Sequence, residues 1–397
     1  MSKPHLDAII TTLLNTAEGV SDLLFVVGRP PQIEVYGKLR PVEVEGVSPI
    51  LTPTDTEQIA VTLIGGNERL YHDFMHLGSC DTSYAVHNHG RFRVNVFRQN
   101  GHHAVVMRKL NTLIPSIEQL KLPLILKQVA REKNGLVFVT GATGNGKTTT
   151  LAAVLNELNK TDDVHVVTLE DPIEYLHNHI RCTFSQRELG KDFSDFATGL
   201  RAALRQAPKV ILVGEVRDRE TMEIALTASE TGHLVLATLH TISSSASINR
   251  ILGFFTQEEE EQIRQRLAET IRFIISQRLV PKRGGGRYLI TEILGSNLRT
   301  REAILLGESE VRDFHDIITA ATPLGWHTFE HSLLTAFREE KITEDVALVY
   351  SVNKSQMRKD LDVVKKELYP QSDEPSGLKL NLEDLHVDPN VTFRPLV

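Results

Sequence analysis

Residues 141–149 have the composition and spacing of a loop that binds phosphate. They match the pattern G-x-x-x-x-G-K-[ST] at every fixed position. Glycines let the backbone curl so that successive N–H groups point at phosphate oxygens, while a lysine adds a mobile cation and a threonine hydroxyl can bind Mg²⁺. The predicted nucleotide-binding residues are Gly141, Thr143, Gly144, Asn145, Gly146, Lys147, Thr148 and Thr149.

Two apolar, strand-like runs end in carboxylates. One reads Val-Ile-Leu-Val-Gly and ends at Glu215, and the other reads Val-His-Val-Val-Thr-Leu and leads into Glu170, Asp171 and Glu174. The carboxyl ends of parallel strands gather around a bound nucleotide, so these acids are expected beside the phosphate loop. In the alternative reading Glu215 caps the following helix, and the other three acids form a solvated turn.

Two histidines flank a third apolar run, His233 before it and His240 after it. A histidine beside such a run is more often structural than functional. His233 opens a strand of the same sheet, however, so contact with a phosphate or a carboxylate is also expected.

Four arginines, at positions 91, 93, 98 and 108, precede the phosphate loop in a region of predicted antiparallel strands. Arg93 and Arg108 are expected on one face of those strands. Two interpretations remain open: a basic surface for the acids of a partner, or arginine fingers that reach the nucleotide of a neighbouring subunit.

The elements that must position these residues follow two patterns. Up to about residue 110, helical segments and antiparallel strands indicate a small α+β domain. From residue 124, predicted strands at 136–140, 164–169, 210–213 and 233–238 alternate with helices, which indicates a parallel sheet covered on both faces. Beyond residue 245 the chain is expected to be mostly helical, including residues 258–279 and 329–337.

The predicted domain boundaries follow from these patterns. Residues 1–110 form the first domain, residues 111–123 a proline-containing linker, and residues 124–368 the nucleotide domain with C-terminal helices. Residues 369–397 contain four prolines and scattered acids, and they are expected to form a flexible tail.

Composition excludes several classes of protein. The 397 residues carry a net charge of −7, which argues against a dedicated nucleic-acid binder. Two separated cysteines exclude a four-cysteine zinc module and indicate a reducing compartment. No run approaches the roughly 20 apolar residues needed to cross a bilayer. A cytoplasmic protein without direct membrane insertion is therefore expected.

Taken together, the phosphate loop, the acidic box at 170–174, Val-Gly-Glu-Val-Arg-Asp at 213–218 and the two-histidine segment at 231–240 resemble the secretion ATPase superfamily. Within it the chain resembles the type IV pilus retraction ATPases PilT and PilU. It is closer to PilU through residues 120–127, 204–208 and 325–329. Residues 297–306 replace the C-terminal signature of PilT, which puts autonomous PilT-type retraction in doubt.

The resemblance implies a RecA-like P-loop ATPase domain preceded by a PAS-like domain, working as a ring-shaped homo-hexamer in pilus retraction and twitching motility. ATP and Mg²⁺ are the implied ligands, and the implied partners are a PilT-like ATPase and an inner-membrane pilus platform protein. By motif position, Thr148 and Glu215 would be on the metal side and Glu174 would polarise water. His233 would sense the γ-phosphate, and Arg93 and Arg108 would be arginine fingers.

Two other functions are consistent with the same motifs. An accessory subunit could bind ATP and modify a partner motor with little activity of its own. A RecA-like nucleic-acid motor would need aromatic and basic binding platforms, which the sequence lacks.

Overall fold

The computed structural model describes residues 1–87, 89–110 and 113–368, and its strands form two sheets. The elements of the first part are α1 (Lys3–Asn15), β1 (Val20–Phe25), β2 (Gln32–Val35), β3 (Lys38–Pro41), α2 (Pro53–Ile64), α3 (Glu68–Leu77), β4 (Ser79–Val86), β5 (Gly90–Gln99) and β6 (His102–Lys109).

The first sheet is antiparallel throughout and has the order β3-β2-β1-β6-β5-β4. Its helices bury their apolar stripes with it in one hydrophobic core, which includes Leu6, Ile59 and Phe92. Helix α2 begins at a capping box, in which Thr52 and Asp55 each accept a backbone N–H of the other. The α+β part predicted from the sequence is thus confirmed, and its PAS-like character remains a prediction.

The second part begins after a stretch of turns at residues 113–125. Its elements are α4 (Leu126–Val129), β7 (Gly135–Thr140), α5 (Lys147–Thr161), β8 (His165–Glu170), β9 (Thr183–Glu188), α6 (Phe196–Ala203), β10 (Val210–Val213), α7 (Arg219–Glu230), β11 (Leu234–Leu239), α8 (Ser244–Leu252), α9 (Glu260–Thr270), β12 (Ile271–Pro281), β13 (Arg287–Gly295), α10 (Leu298–Leu306), α11 (Phe314–Ala320), α12 (Phe329–Arg338), α13 (Glu344–Tyr350) and α14 (Lys354–Leu368).

The second sheet has the order β13-β12-β7-β11-β10-β8-β9. Its strands are parallel except for β13, which pairs antiparallel with β12 at one edge. The central strands β7, β10 and β11 are buried throughout, as expected for a sheet with helices on both faces. The predicted parallel α/β domain is confirmed, and the carboxyl ends of six strands share one edge.

The expectation of a helix over residues 258–279 is wrong in its second half. Helix α9 ends at Thr270, and residues 271–281 form β12 instead. Seven of its eleven residues are buried, five of them consecutively at 273–277, so its sequence lacks the alternation of a half-buried strand and resembles a buried helix. Strands β9 and β13 were also not predicted.

Helices α12, α13 and α14 pack against the end of the β12–β13 hairpin in a separate core, which includes Val280, Ile290, Phe329, Leu333 and Met357. The tail predicted at residues 369–397 lies outside the described residues. Within the described ranges, none of the helices combines the length and the apolar character that crossing a bilayer requires.

Candidate functional site

The phosphate loop joins β7 to α5 at the carboxyl edge of the second sheet. Backbone geometry explains why two of its positions are glycines. Gly141 has φ +142°, and a Cβ there would lie 2.5 Å from the backbone oxygen of Gln277. Gly146 has φ +82° and caps the start of α5. Asn145 fixes the loop against β12, because its side chain donates to the Gln277 oxygen at 3.1 Å and accepts from the Leu279 N–H at 3.3 Å. These two hydrogen bonds hold the loop against β12.

Lys147 lies inside this loop with only 9% of its surface exposed. Its ammonium donates to the backbone oxygens of Gly141 at 2.8 Å and Ala142 at 3.2 Å. Burial lowers the pKa of Lys147, and the nearby carboxylates of Glu215 and Glu174 offset part of that effect. The structure thus brings the predicted lysine and two predicted acids into one electrostatic cluster.

Glu215 follows β10, and two nitrogen groups lie beside its carboxylate. Its carboxylate lies 2.7 Å from an Arg217 terminal nitrogen and 3.1 Å from Nε2 of His240. Burial alone would raise the pKa of Glu215, but the bond from Arg217 and the proximity of His240 outweigh it, and the pKa is lowered. Glu215 is therefore held ionised.

The acids after β8 lie in different surroundings. Glu170 is buried and accepts from the Thr168 hydroxyl at 2.6 Å and the Gln186 amide at 3.1 Å. Burial raises the pKa of Glu170 to about 7 in spite of these two bonds. Burial also raises the pKa of Asp171, against the attraction of Arg217 and Arg93.

Glu174 lies in the loop after these acids, half-buried and close enough to act on the charge of Lys147. The next residue fastens this loop to the first turn of α5, since the Tyr175 hydroxyl lies 3.1 Å from that of Thr149. Thr148 is half-buried in the same turn.

The structure contradicts the predicted role of His233. It precedes β11 at the amino edge of the sheet, where its carbonyl accepts from Gly135 at the start of β7. Its Nδ1 lies 3.0 Å from the oxygen of Ala228. The phosphate loop begins at the other end of β7, about 20 Å away for a six-residue strand. His233 therefore cannot contact a phosphate held in the loop of its own chain.

Arg93 and Arg108 are directly paired across β5 and β6, so their side chains project from one face of the first sheet. Asp22 binds Nε of Arg108 at 2.8 Å, and 70% of the Arg108 side chain is exposed. Arg93 is also exposed and lines a cavity of about 300 Å³ between the two parts of the chain, beside Asp171. The finger role of both remains a prediction.

Arg91, also considered at the sequence level, has a different partner. It forms an ion pair with Glu188 of β9, whose carboxylate also accepts from the Ser83 hydroxyl at 2.7 Å and pairs with Lys191 at 2.8 Å. This cluster around the buried Glu188 joins the first sheet to the second within one chain. Arg98 stacks over Phe74, with its guanidinium carbon 5.1 Å from the ring centre.

The donor set fits a magnesium nucleotide. Lys147 now bonds neutral carbonyl oxygens, which phosphate oxygens would replace with stronger, charged acceptors. The Thr148 hydroxyl and the Glu215 carboxylate offer oxygen atoms alone, the ligand type that Mg²⁺ prefers.

Three residues of the site were not assigned from the sequence: His240, Arg217 and Gln186. The strand-end rule that selected Glu215 would have selected His240, because it immediately follows β11. Arg217 and Gln186 carry no comparable signal, since each acts through a contact that only the fold creates.

Comparison with known proteins shows the family of the chain. The model of the family "Type II/IV secretion system protein" matches residues 83–304, which contain both the loop and the acids. The chain belongs to this secretion family. Among its relatives, the type IV pilus ATPase PilU of Pseudomonas aeruginosa is 39% identical over 87% of this chain and 88% of its own length. The type IV pilus retraction ATPase PilT of the same organism is 39% identical over 82% of this chain and 92% of its own.

A solved structure of the pilus retraction motor PilT with bound ADP superposes on this secretion-family chain with a TM-score of 0.79. It has 37% identity and covers 89% of this chain and 99% of the other. The ATPase DotB of Legionella pneumophila has a TM-score of 0.76 at 30% identity, covering 88% and 95%. The assignment to the PilT and PilU group of secretion ATPases is confirmed.

Proposed function

We propose that this chain is an ATP-hydrolysing motor subunit of type IV pilus retraction and twitching motility that works in a homo-hexamer. The observation that carries the proposal is a phosphate loop whose buried Lys147 bonds the carbonyls of Gly141 and Ala142, with Glu174 and Glu215 following strands of the same sheet. Family membership and the ATPases among the relatives support the enzymatic assignment. The working site is the nucleotide domain, bound through the pilus machinery at the cytoplasmic side of the inner membrane.

ATP binding changes the partners of Lys147. Its ammonium leaves the carbonyls of Gly141 and Ala142 and takes the oxygens of the terminal phosphates, while the N–H groups of the loop hold the others. Because the lysine is already buried, little side-chain ordering accompanies this exchange.

Glu174 accepts the proton of the water that attacks the γ-phosphorus as the bond to the leaving ADP oxygen breaks. His240 contacts Glu215 at 3.1 Å. Thr148 and Glu215 would hold Mg²⁺, which, when bound, draws charge from the phosphate oxygens. Arg217 and His240 keep Glu215 ionised for that task.

Arg93 and Arg108 complete the site of a neighbouring subunit. Asp22 accepts a hydrogen bond from Nε of Arg108, and 70% of that side chain is exposed, so its terminal nitrogens are available to a phosphate of the neighbouring subunit. A cation donated across a subunit boundary couples hydrolysis to the movement of the first domain against the next subunit.

The test of the base is Glu174→Gln, with Glu132→Gln at the amino edge as the matched control. We expect kcat for ATP hydrolysis to fall at least about 100-fold for Glu174→Gln and less than about twofold for the control. Binding of a fluorescent ATP analogue should persist in both. Undiminished turnover of Glu174→Gln would refute the assigned base.

The test of the shared site mixes two inactive variants. Lys147→Ala keeps its arginines, and Arg93→Ala/Arg108→Ala keeps its phosphate loop. If arginines act between subunits, mixed rings regain part of the ATPase activity. No recovery, with ring formation shown by light scattering, would place the arginines in the site of their own chain or outside it.

An accessory role beside a PilT-like ATPase is the second candidate. It is favoured by residues 297–306, which depart from the PilT signature and form α10 with an exposed Leu298, Leu305 and Leu306. Activity of the isolated chain, compared with activity mixed with a PilT-like ATPase, separates the two. A platform protein at the membrane is the proposed recipient of the work.

A further inference from the structure

The residue proposed as the base lies in a long irregular loop. Strand β8 ends at Glu170 and β9 begins at Thr183, and the residues between them form neither helix nor strand. A catalytic carboxylate must lie within about 3 Å of its water, and a displacement of 1 Å can lower the rate about 100-fold. Such a loop therefore needs side chains that fix its course.

Gln186 of β9 binds this loop on both sides of residue 176. Its Nε2 donates to the Tyr175 oxygen at 2.8 Å, and its Oε1 accepts from the His177 N–H at 2.8 Å. The same Nε2 donates to Glu170 at 3.1 Å. A backbone carbonyl can only accept and a backbone N–H can only donate, so these partners define the orientation of the amide.

Two further contacts restrict the movement of this loop near Glu174. The Tyr175 hydroxyl reaches Thr149 at 3.1 Å, and the Ile173 N–H donates to Glu188 of β9 at 3.3 Å. Glu174 is thus bracketed by fixed neighbours. Gln186 is the side chain that binds two backbone groups immediately after it.

We propose that Gln186 is a positioning residue. It holds the backbone after Glu174 so that the carboxylate of Glu174 faces the γ-phosphate. This inference rests on the proposed role of Glu174. Gln186 itself touches neither Lys147 nor Thr148 in its hydrogen bonds, so its effect is on the rate of the chemical step and not on nucleotide affinity.

The control is Asn159, which holds the far half of the same loop. Its side chain donates to the Asn178 oxygen at 2.7 Å and accepts from the N–H groups of Ile180 at 3.2 Å and Cys182 at 3.1 Å. Asn159 and Gln186 therefore order the same loop with similar numbers of bonds, and only Gln186 acts beside Glu174.

The experiment measures kcat and KM of the full chain for Gln186→Met and Asn159→Leu. We expect Gln186→Met to lower kcat about tenfold with KM for ATP unchanged, and Asn159→Leu to change kcat less than about twofold. Equal losses of kcat, or no loss for Gln186→Met, would overturn the proposal. If Gln186→Met does not fold, Gln186→Leu gives the same readout, since it removes the bonds to Tyr175 and His177 without placing a second carboxyl group beside Glu170.

A double variant separates positioning from a structural effect. In a Glu174→Gln background, Gln186→Met should leave the residual activity unchanged, because a positioning residue has nothing left to position. A further tenfold loss there would overturn the proposal. Full activity of Glu174→Gln alone would instead refute the assigned base, which is a failure of the proposed function.

Discussion

The two ends of β11 carry one histidine each, and their surroundings differ. His233, before the strand, lies 3.0 Å from the backbone oxygen of Ala228, a neutral partner within the same helix–strand connection. His240, after the strand, lies 3.1 Å from the carboxylate of Glu215, a charged partner that follows β10. One histidine closes a turn, and the other contacts one of the acids that follow the strands.

The direction of the strands explains this difference. In a parallel sheet every strand runs towards the same edge, so the residues that follow the strands meet there, and the residues that precede them meet at the other edge. Lys147, Glu174, Glu215 and His240 all follow strands. The residues proposed to bind and hydrolyse ATP therefore lie at the carboxyl edge of the sheet, and His233 lies at the amino edge.

The glycines at the two ends of β7 offer the test of this comparison with the largest expected effect. Gly135, with φ +104°, leaves 2.6 Å between a built Cβ and the Thr270 oxygen, and Gly141, with φ +142°, leaves 2.5 Å to the Gln277 oxygen. We expect alanine at either position to lower the free energy of unfolding by about 3 to 4 kcal/mol. Only Gly141→Ala should also weaken ATP binding, by more than about tenfold.

Urea unfolding and titration with a fluorescent ATP analogue check both effects. Gly232→Ala is the control for backbone strain alone, because its φ is +94° and a Cβ there meets nothing within 4 Å. Its expected cost is about 1 kcal/mol. A loss of ATP affinity in Gly135→Ala as large as in Gly141→Ala would contradict the division between edges.

The next test concerns the stability that the chain loses by burying the carboxyl group of Glu170 at the carboxyl edge of the sheet. Burial raises the pKa of Glu170 to about 7 from an ordinary 4.5. The folded chain keeps a proton that the unfolded chain releases in this window, so the free energy of unfolding falls as pH rises from 4.5 to about 7 and levels off above it. Between pH 5 and pH 8 the loss due to Glu170 is about 2 to 3 kcal/mol.

Glu170→Gln should remove this part of the pH dependence. Denaturant unfolding of the parent chain and the variant at pH 5 and pH 8 measures it, and the other titrating groups cancel in the difference. Equal pH dependence in the two chains would mean that Glu170 ionises normally in the fold.

The histidine pair gives the smallest expected effect and the sharpest contrast. His240→Ala should lower kcat about tenfold, because Glu215 loses one of the two groups that keep its pKa low. His233→Ala should change kcat less than about twofold. Steady-state ATPase assays on both variants decide this, and a larger loss from His233→Ala would return that residue to the site.

The parts of the site that a sequence reveals are those that a local pattern encodes. The phosphate loop, and the acids Glu174 and Glu215, were predicted because each combines a recognisable chemistry with a place after an apolar strand. His233 was assigned by motif position, whereas the strand-end rule selects the residue after β11, which is His240. Gln186 was missed because a glutamine inside a strand has no motif, and its importance comes from backbone groups nine and eleven residues away.

The sequence by itself determined the phosphate loop, the alternation of strands and helices, and the family of the chain, because local residue patterns encode all three. The tertiary structure alone decided which charges meet. Arg91 pairs with Glu188 across 97 positions, and Arg217 and His240 converge on Glu215. The sheet order also decided that β12 is a strand, since burial on both faces removes the alternation that would reveal it. Coulombic and packing contacts between distant segments depend on the register and the direction of the strands. No short stretch of residues determines that register or that direction.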